Sequence, residues 1–237
     1  MEYKININGY DVQARYSEDS IEKIWKPLLG RLSGLQRSLG RRILVMLAAP
    51  PGAGKSTLVS FLEYLSKSSD EYVGLQAIGM DGFHHYQDYL MERGLVQIKG
   101  APVTFDLEAL AARVARVAAG EVVGWPVYDR NLHNPVEDVI TVDSDIVLLE
   151  GNYLLLDEPG WRELKAMADY TIFLTADEGM LWDRLVERKA KNTPLEQARA
   201  FVENSDMPNA REVLKDSVPA DLVVRVLDDG KFVEVFI

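Results

Sequence analysis

Three short apolar runs, Ile43-Leu44-Val45-Met46-Leu47-Ala48, Ile146-Val147-Leu148-Leu149 and Ile172-Phe173-Leu174, carry no polar interruption. Runs this short and continuous predict strands buried on both faces, as in a parallel sheet. Tyr72–Ile78 predicts another strand. Between the runs, apolar residues recur at helical spacing: Leu58, Phe61, Leu62 and Leu65, then Leu107, Leu110, Ala111, Val114 and Val117. Asp106 stands where it would N-cap the second helix, and Gly120 where it would stop it. Helical patterns also run through Met180–Lys191 and Leu195–Glu203. Strands alternating with helices predict an α/β fold, a parallel sheet with helices on both faces.

The ends of the chain follow other rules. Residues 3–16 alternate polar and apolar around Asn8-Gly9, the strongest short signal for a β-hairpin. Ile21, Ile24, Trp25, Leu28, Leu29 and Leu32 then predict a helix with Pro27 as a kink point. Leu222–Leu227, Asp228-Asp229-Gly230 and Phe232–Ile237 predict a second hairpin. The expected organisation is an accessory hairpin and helix over 1–40, a core over 41–221 with a helical lid at about 178–205, and a C-terminal hairpin over 222–237.

Composition narrows the partners. The 237 residues are 47% hydrophobic, enough for a buried core, and contain no cysteine. That excludes disulfides and thiolate metal sites. A net charge of −11 argues against nucleic acid or an anionic membrane as the main partner. No apolar run approaches the ~20 residues of a membrane span, and the N-terminus lacks a signal-peptide pattern. A soluble, cytoplasmic protein is expected, with any anion held by local groups.

Ala49-Pro50-Pro51-Gly52-Ala53-Gly54-Lys55-Ser56-Thr57 supplies such groups. Strand, small-residue turn, Gly-Lys-Ser and helix follow in the order a phosphate-binding loop requires, although Ala49 replaces the first glycine of the usual pattern. Glycines let backbone N–H groups turn inward on a phosphate, and the helix N-terminus adds partial positive charge. Lys55 would reach the β- and γ-phosphates, and the Ser56 hydroxyl would ligate Mg²⁺. Ligands of open α/β sheets bind outside the carboxyl ends of the strands, where two further acids fall. Asp81 could take the proton of an attacking hydroxyl, or Asp81-Gly82 could simply make a turn. Glu150 ends its strand where it could hold Mg²⁺ through water, or it could cap the next turn. Arg184 and Arg188, four apart, share a helical face and suit either a flap closing on a phosphoryl group or a solvated, salt-bridged surface. His84, His85 and His133 lack the further ligands of a metal site, and His133 suits hydrogen bonding to a substrate. Asp206 and Asn209 follow the lid and could approach a nucleotide base, with a helix cap as the alternative for Asp206.

Together these residues resemble the P-loop kinases that include uridine kinase, pantothenate kinase and phosphoribulokinase, from about Arg41 to Asp221. Ala49–Thr57 resembles their phosphate loop, Asp81-Gly82-Phe83-His84 the segment with the catalytic aspartate, and Pro102, Phe105 and Asp106 a shared acceptor-side loop. Tyr128 and His133 resemble the uridine kinase pair that contacts the nucleoside, and Glu150-Gly151-Asn152-Tyr153 the Glu-Gly segment after the fourth core strand. Arg184 and Arg188 resemble lid arginines. Arg93-Gly94-Leu95, Lys99-Gly100-Ala101-Pro102 and Thr104-Phe105-Asp106 resemble a bacterial subgroup labelled nucleoside/nucleotide kinase-like or fructose transport system kinase. Gly100 and Ala101 stand where uridine kinase has an aspartate and a histidine, while Lys99 adds a cation.

The resemblance implies a three-layer P-loop NTP hydrolase fold. It also implies ATP- and Mg²⁺-dependent transfer of a γ-phosphoryl group to a sugar-, polyol- or nucleoside-like small molecule. Gly52, Ala53, Gly54, Lys55, Ser56 and Thr57 would bind nucleotide, and His84, Lys99, Tyr128 and His133 the acceptor. The competing readings are a regulatory ATP-binding module tied to sugar transport, and an assembly protein whose terminal hairpins pair between chains in a homodimer.

Overall fold

The computed structural model describes residues 1–7, 10–227 and 230–236. Strands β1 (Glu2–Ile7) and β2 (Tyr10–Arg15) pair antiparallel; the expected turn at Asn8-Gly9, like Asp228-Asp229, lies outside the described residues. A helical segment follows, made of α1 (Glu18–Ser20), a π turn (Ile21–Trp25) and α2 (Lys26–Leu39). Proline has no N–H to donate one turn back, and the expected kink at Pro27 takes the form of this widened turn just before it.

The core runs β3 (Ile43–Ala48), α3 (Lys55–Lys67), β4 (Leu75–Gly79), α4 (Gln87–Glu92), α5 (Leu107–Ala118), β5 (Val123–Asp129) and β6 (Asn134–Val142). It continues with β7 (Ile146–Gly151), α6 (Trp161–Lys165), β8 (Tyr170–Thr175), α7 (Glu178–Ala190), α8 (Leu195–Phe201), α9 (Met207–Asp216), β9 (Leu222–Val226) and β10 (Phe232–Glu234). The central sheet has the order β10-β9-β8-β3-β7-β4, parallel except for β10.

The pleat of β3 divides its side chains between two cores. Ile43, Val45 and Leu47 pack with Leu28 and Leu32 of α2, Phe61 and Leu62 of α3, and Leu181 and Leu185 of α7. Leu44, Met46 and Ala48 pack with Leu110 and Val114 of α5 and Trp161 and Leu164 of α6. Alternate strand residues point to opposite faces, so an uninterrupted apolar strand requires helices on both sides. The sandwich is three layers deep, and β3 lies fully inside it.

The expected C-terminal hairpin forms, β9 and β10 pairing antiparallel, and it is part of the central sheet, with β9 parallel to β8. Both termini join the same core. Tyr16 stacks on Phe61 with centroids 4.0 Å apart and on Phe232 at 5.9 Å. The Phe232 N–H donates to the Ser20 hydroxyl at 3.0 Å. No helix among the described residues is long and apolar enough to cross a membrane.

Residues Asn134–Val142 form β6, the second strand of an antiparallel hairpin with β5 outside the central sheet. Most β6 side chains are exposed and the pairing is bulged at Trp125/Val127, so the period-two signal is weak. Buried Trp125 anchors the hairpin: its indole N–H donates to the Gly79 carbonyl at 2.8 Å, and Phe83 meets its ring edge-on. At Gly82 a Cβ would collide with the Pro126 carbonyl, so this glycine is required by the close approach of β5. Gly82→Ala should destabilise the protein by roughly 1–3 kcal/mol through overpacking. Urea denaturation would check this, and an unchanged midpoint would remove the close approach from the account.

Candidate active site

The phosphate loop leaves β3 at Ala48 and enters α3 at Lys55. Gly52 and Gly54 adopt φ of 86° and 85°, the left-handed region that glycine tolerates. A Cβ at Gly54 would meet nothing within 4 Å, whereas at Gly52 it would lie 3.1 Å from Leu185. The loop therefore rests on α7 at Gly52 and opens outward at Gly54. Ala53 N–H donates to the Pro50 carbonyl at 3.2 Å. The N–H groups of Gly54, Lys55, Ser56 and Thr57 have no protein acceptor among the described residues. Four unpaired donors at the start of a 13-residue helix make an anion cradle.

Glu150 sits between this loop and β4. Register pairs it with Leu47 on one side and Gly79 on the other. The Ser56 hydroxyl donates to Glu150 Oε1 at 2.7 Å, and Lys55 Nζ lies 4.0 Å from Oε2. Burial pushes the Glu150 carboxyl above its ordinary range; Lys55 pulls it back, the charge of Asp81 pushes it up again, and the Ser56 hydrogen bond lowers it. A hydroxyl and a carboxylate side by side are the hard oxygen ligands that Mg²⁺ takes, and a divalent ion would relieve the crowding of negative charge. The residues present fit that ion. Among the described residues no group of three or more His, Asp or Glu side chains forms a complete cage. Phosphate and water oxygens would fill the remaining positions.

Asp81 lies in the 3₁₀ turn Met80–Phe83 after β4, within electrostatic reach of Glu150, His84 and Tyr128. Its carboxylate has no hydrogen bond or ion pair among the described residues. Gly82 is set by the close approach of β5, and the charge of Asp81 acts on the buried Glu150 beside the phosphate loop. His84 Nδ1 donates to the Asp81 carbonyl at 2.9 Å, which leaves Nε2 as an acceptor. Its ring packs against Phe105 and Tyr128, at centroid distances of 4.0 Å and 5.0 Å, and burial keeps its pKa below the usual histidine value. Tyr128 is pushed up by burial and by Asp81, so its phenol stays protonated.

Lys99, Tyr128 and His84 are brought together, but the His133 side chain is not. His133 is exposed at the tip of the β5–β6 hairpin with φ of 53°, and its carbonyl, rather than its ring, accepts from Lys99 at 3.0 Å. Gly100 adopts φ of 107°, strained for any residue with a Cβ, and its carbonyl accepts from the Tyr153 hydroxyl at 2.6 Å.

The region expected as a lid, about 178–205, holds α7, α8 and a second π turn (Val202–Asp206), and α9 follows it. Leu181 and Leu185 are buried, which fixes Arg184 and Arg188 on the neighbouring face. Arg188 pairs with Asp206 at 3.8 Å, whereas Arg184 has no ion pair among the described residues. Asp206 makes no capping bond to α9. Buried Asn209 lies 3.6 Å from where a Gly100 Cβ would stand, so it borders the turn that carries Lys99 and Gly100. Sequence reasoning passed over α9 and the roles of Trp125, Tyr153 and Gln87; Pro208, at the start of α9, was the available signal for a new helix.

Residues 44–229 match the model of the Phosphoribulokinase / Uridine kinase family. The chain is 42% identical over 234 residues to an Escherichia coli K12 protein named "Uncharacterized protein YggC", covering 98% of each. It is 29% identical over 200 residues to a pantothenate kinase of Yersinia pestis, covering 74% of this chain and 63% of that one. Among solved structures it resembles a "putative fructose transport system kinase" from Silicibacter sp. TM1040. That likeness has a TM-score of 0.73 and 33% identity, and covers 81% of this chain and 98% of that one.

The upward shift at Glu150 has a definite sign. A carboxyl whose native pKa exceeds its unfolded value stabilises the fold below the unfolded value and loses that contribution as pH rises through the native one. Glu150→Gln, which carries no charge, should therefore raise the melting temperature of the ligand-free protein at neutral pH. The gap to wild type should shrink as pH falls towards the ordinary glutamate range. Thermal melts across that range would test this; a gap that widened on acidification would reverse the sign.

Proposed function

Because the chain belongs to the phosphoribulokinase/uridine kinase family, we propose that it transfers the γ-phosphoryl group of ATP to a hydroxyl of a sugar-, polyol- or nucleoside-like molecule. The observation that carries this reading is the contact of Ser56 and Lys55 with the two oxygens of Glu150, beside an Asp81 carboxylate that has no protein partner. A loop that only held nucleotide would have no task for that second acid.

In this reading the unpaired N–H groups of the loop and Lys55 hold the phosphates. Ser56 and Glu150 would hold Mg²⁺, which would neutralise phosphate charge. Asp81 accepts the proton of the acceptor hydroxyl as its oxygen bonds to the γ-phosphorus. The bond from that phosphorus to the β–γ bridging oxygen breaks, and ADP leaves with the electron pair. Arg184 and Arg188 meet the charge spread over the transferring oxygens when the lid closes. Protonated Tyr128 and the free Nε2 of His84 offer one donor and one acceptor to the substrate, with Lys99 at the rim.

An ADP-release assay over a panel of alcohols tests the reading. Asp81→Asn should keep nucleotide affinity while kcat falls by about 10²–10⁴. Lys55→Ala should weaken nucleotide binding as well as turnover. Near-normal turnover in Asp81→Asn would remove the base assignment. Nucleotide binding without ADP release for any acceptor would favour a regulatory module.

A further inference from the structure

We propose that the acceptor carries an anionic group, a carboxylate or a phosphate monoester, and that Lys99 holds it while Asp81 faces the hydroxyl to be phosphorylated. This rests on the kinase reading above and names its substrate class. The Lys99 ammonium has three N–H donors. One donates to Gln87 Oε1 at 2.8 Å and one to the His133 carbonyl at 3.0 Å, both neutral oxygens. The third has no acceptor among the described residues, and no carboxylate lies within ion-pair distance of Nζ. The charge also sits 5.0 Å above the centre of the Tyr128 ring. Burial draws the Lys99 pKa down, and no nearby acid offsets it.

A lysine serving only solubility would extend its charge into water, and a lysine serving only an ion pair would have an acid beside it. Lys99 has neither. It is half-buried and aimed by two hydrogen bonds to neutral oxygens. A stepwise path of contacts leads from it to the proposed base: Lys99 to the Tyr128 ring, Tyr128 to His84 at 5.0 Å, and His84 Nδ1 to the Asp81 carbonyl at 2.9 Å. A small molecule lying along His84 and Tyr128 would place a hydroxyl at one end and an anion at the other. An anion beside the Lys99 ammonium adds a charge–charge attraction that a neutral hydroxyl lacks, so an anionic acceptor gains there what a neutral sugar does not.

The test is ADP release on matched triples: glycerol, glycerate and glycerol phosphate, then glucitol, gluconate and glucitol phosphate. The carboxylate and phosphate arms distinguish the two sources of charge. An anionic member should be used with kcat/KM at least about tenfold above its neutral counterpart. Lys99→Gln, which removes the charge and keeps an N–H donor, should abolish that ratio chiefly through KM, and Lys99→Arg should preserve much of it. Preference for the neutral member would overturn the proposal while leaving phosphoryl transfer intact. So would an equal loss on all members in Lys99→Gln, the signature of a purely structural strap. If no member released ADP, calorimetry with the same triples and a non-hydrolysable ATP analogue would judge the site separately from turnover. Lys99-dependent, anion-selective binding would support it, and its absence would overturn it.

Discussion

Two carboxylates and one ammonium share the carboxyl end of the central sheet, and the burial that gathers them is the constraint the architecture has to sustain. Glu150 is nearly enclosed, yet it must remain an acid at the mouth of the phosphate loop. A buried charge is tolerated only when its partners are well placed. Lys55 and Ser56 are placed by the first turn of α3, and α3 is placed by its packing on β3 and α2. Gly79, bare of side chain, leaves room for the Glu150 carboxylate on the β4 side: a Cβ there would lie 3.5 Å from Oε1.

The acceptor side is built differently. It is assembled from turns and a hairpin rather than from the sheet, and it depends on a few ties. Trp125 fastens β5 to the end of β4, Tyr153 fastens the Gly100 carbonyl, and Lys99 fastens the hairpin tip to Gln87. Three of these ties join residues far apart in the chain, so this side is held by contacts separate from those that place the phosphate loop. That division suits a family whose members share a phosphate loop and differ in what they phosphorylate. It also bears on Gly100: the left-handed backbone there leaves the position without a side chain, and Asn209 from α9 approaches the space.

The buried strands, the phosphate loop, the N-cap at Asp106 and the i, i+4 arginines were legible in the sequence because each is local. Their signals are continuous apolar runs, glycine spacing and helical periodicity. What escaped was non-local or nearly exposed. β6 carries Pro135, Glu137 and Asp138 and has little to bury, so it gave no strand period. The need for glycine at position 82 arises from β5, which is far along the chain. Asp206, expected as a base contact or a helix cap, makes no capping bond; a π turn carries it to Arg188 instead. His133 was read from its neighbours as a substrate contact, whereas its position at a hairpin tip turns its carbonyl, not its ring, towards Lys99.

The central claim is that the loop around Lys55 cradles a triphosphate directly opposite Asp81. A crystal structure with magnesium and a non-hydrolysable ATP analogue measures this most directly. The account predicts terminal phosphate oxygens within about 3.2 Å of Lys55 Nζ and of the N–H groups that open α3, with the Asp81 carboxylate facing the γ-phosphorus across a gap wide enough for a hydroxyl. A nucleotide seated away from that loop, or an Asp81 turned from the terminal phosphate with no gap between them, would contradict it.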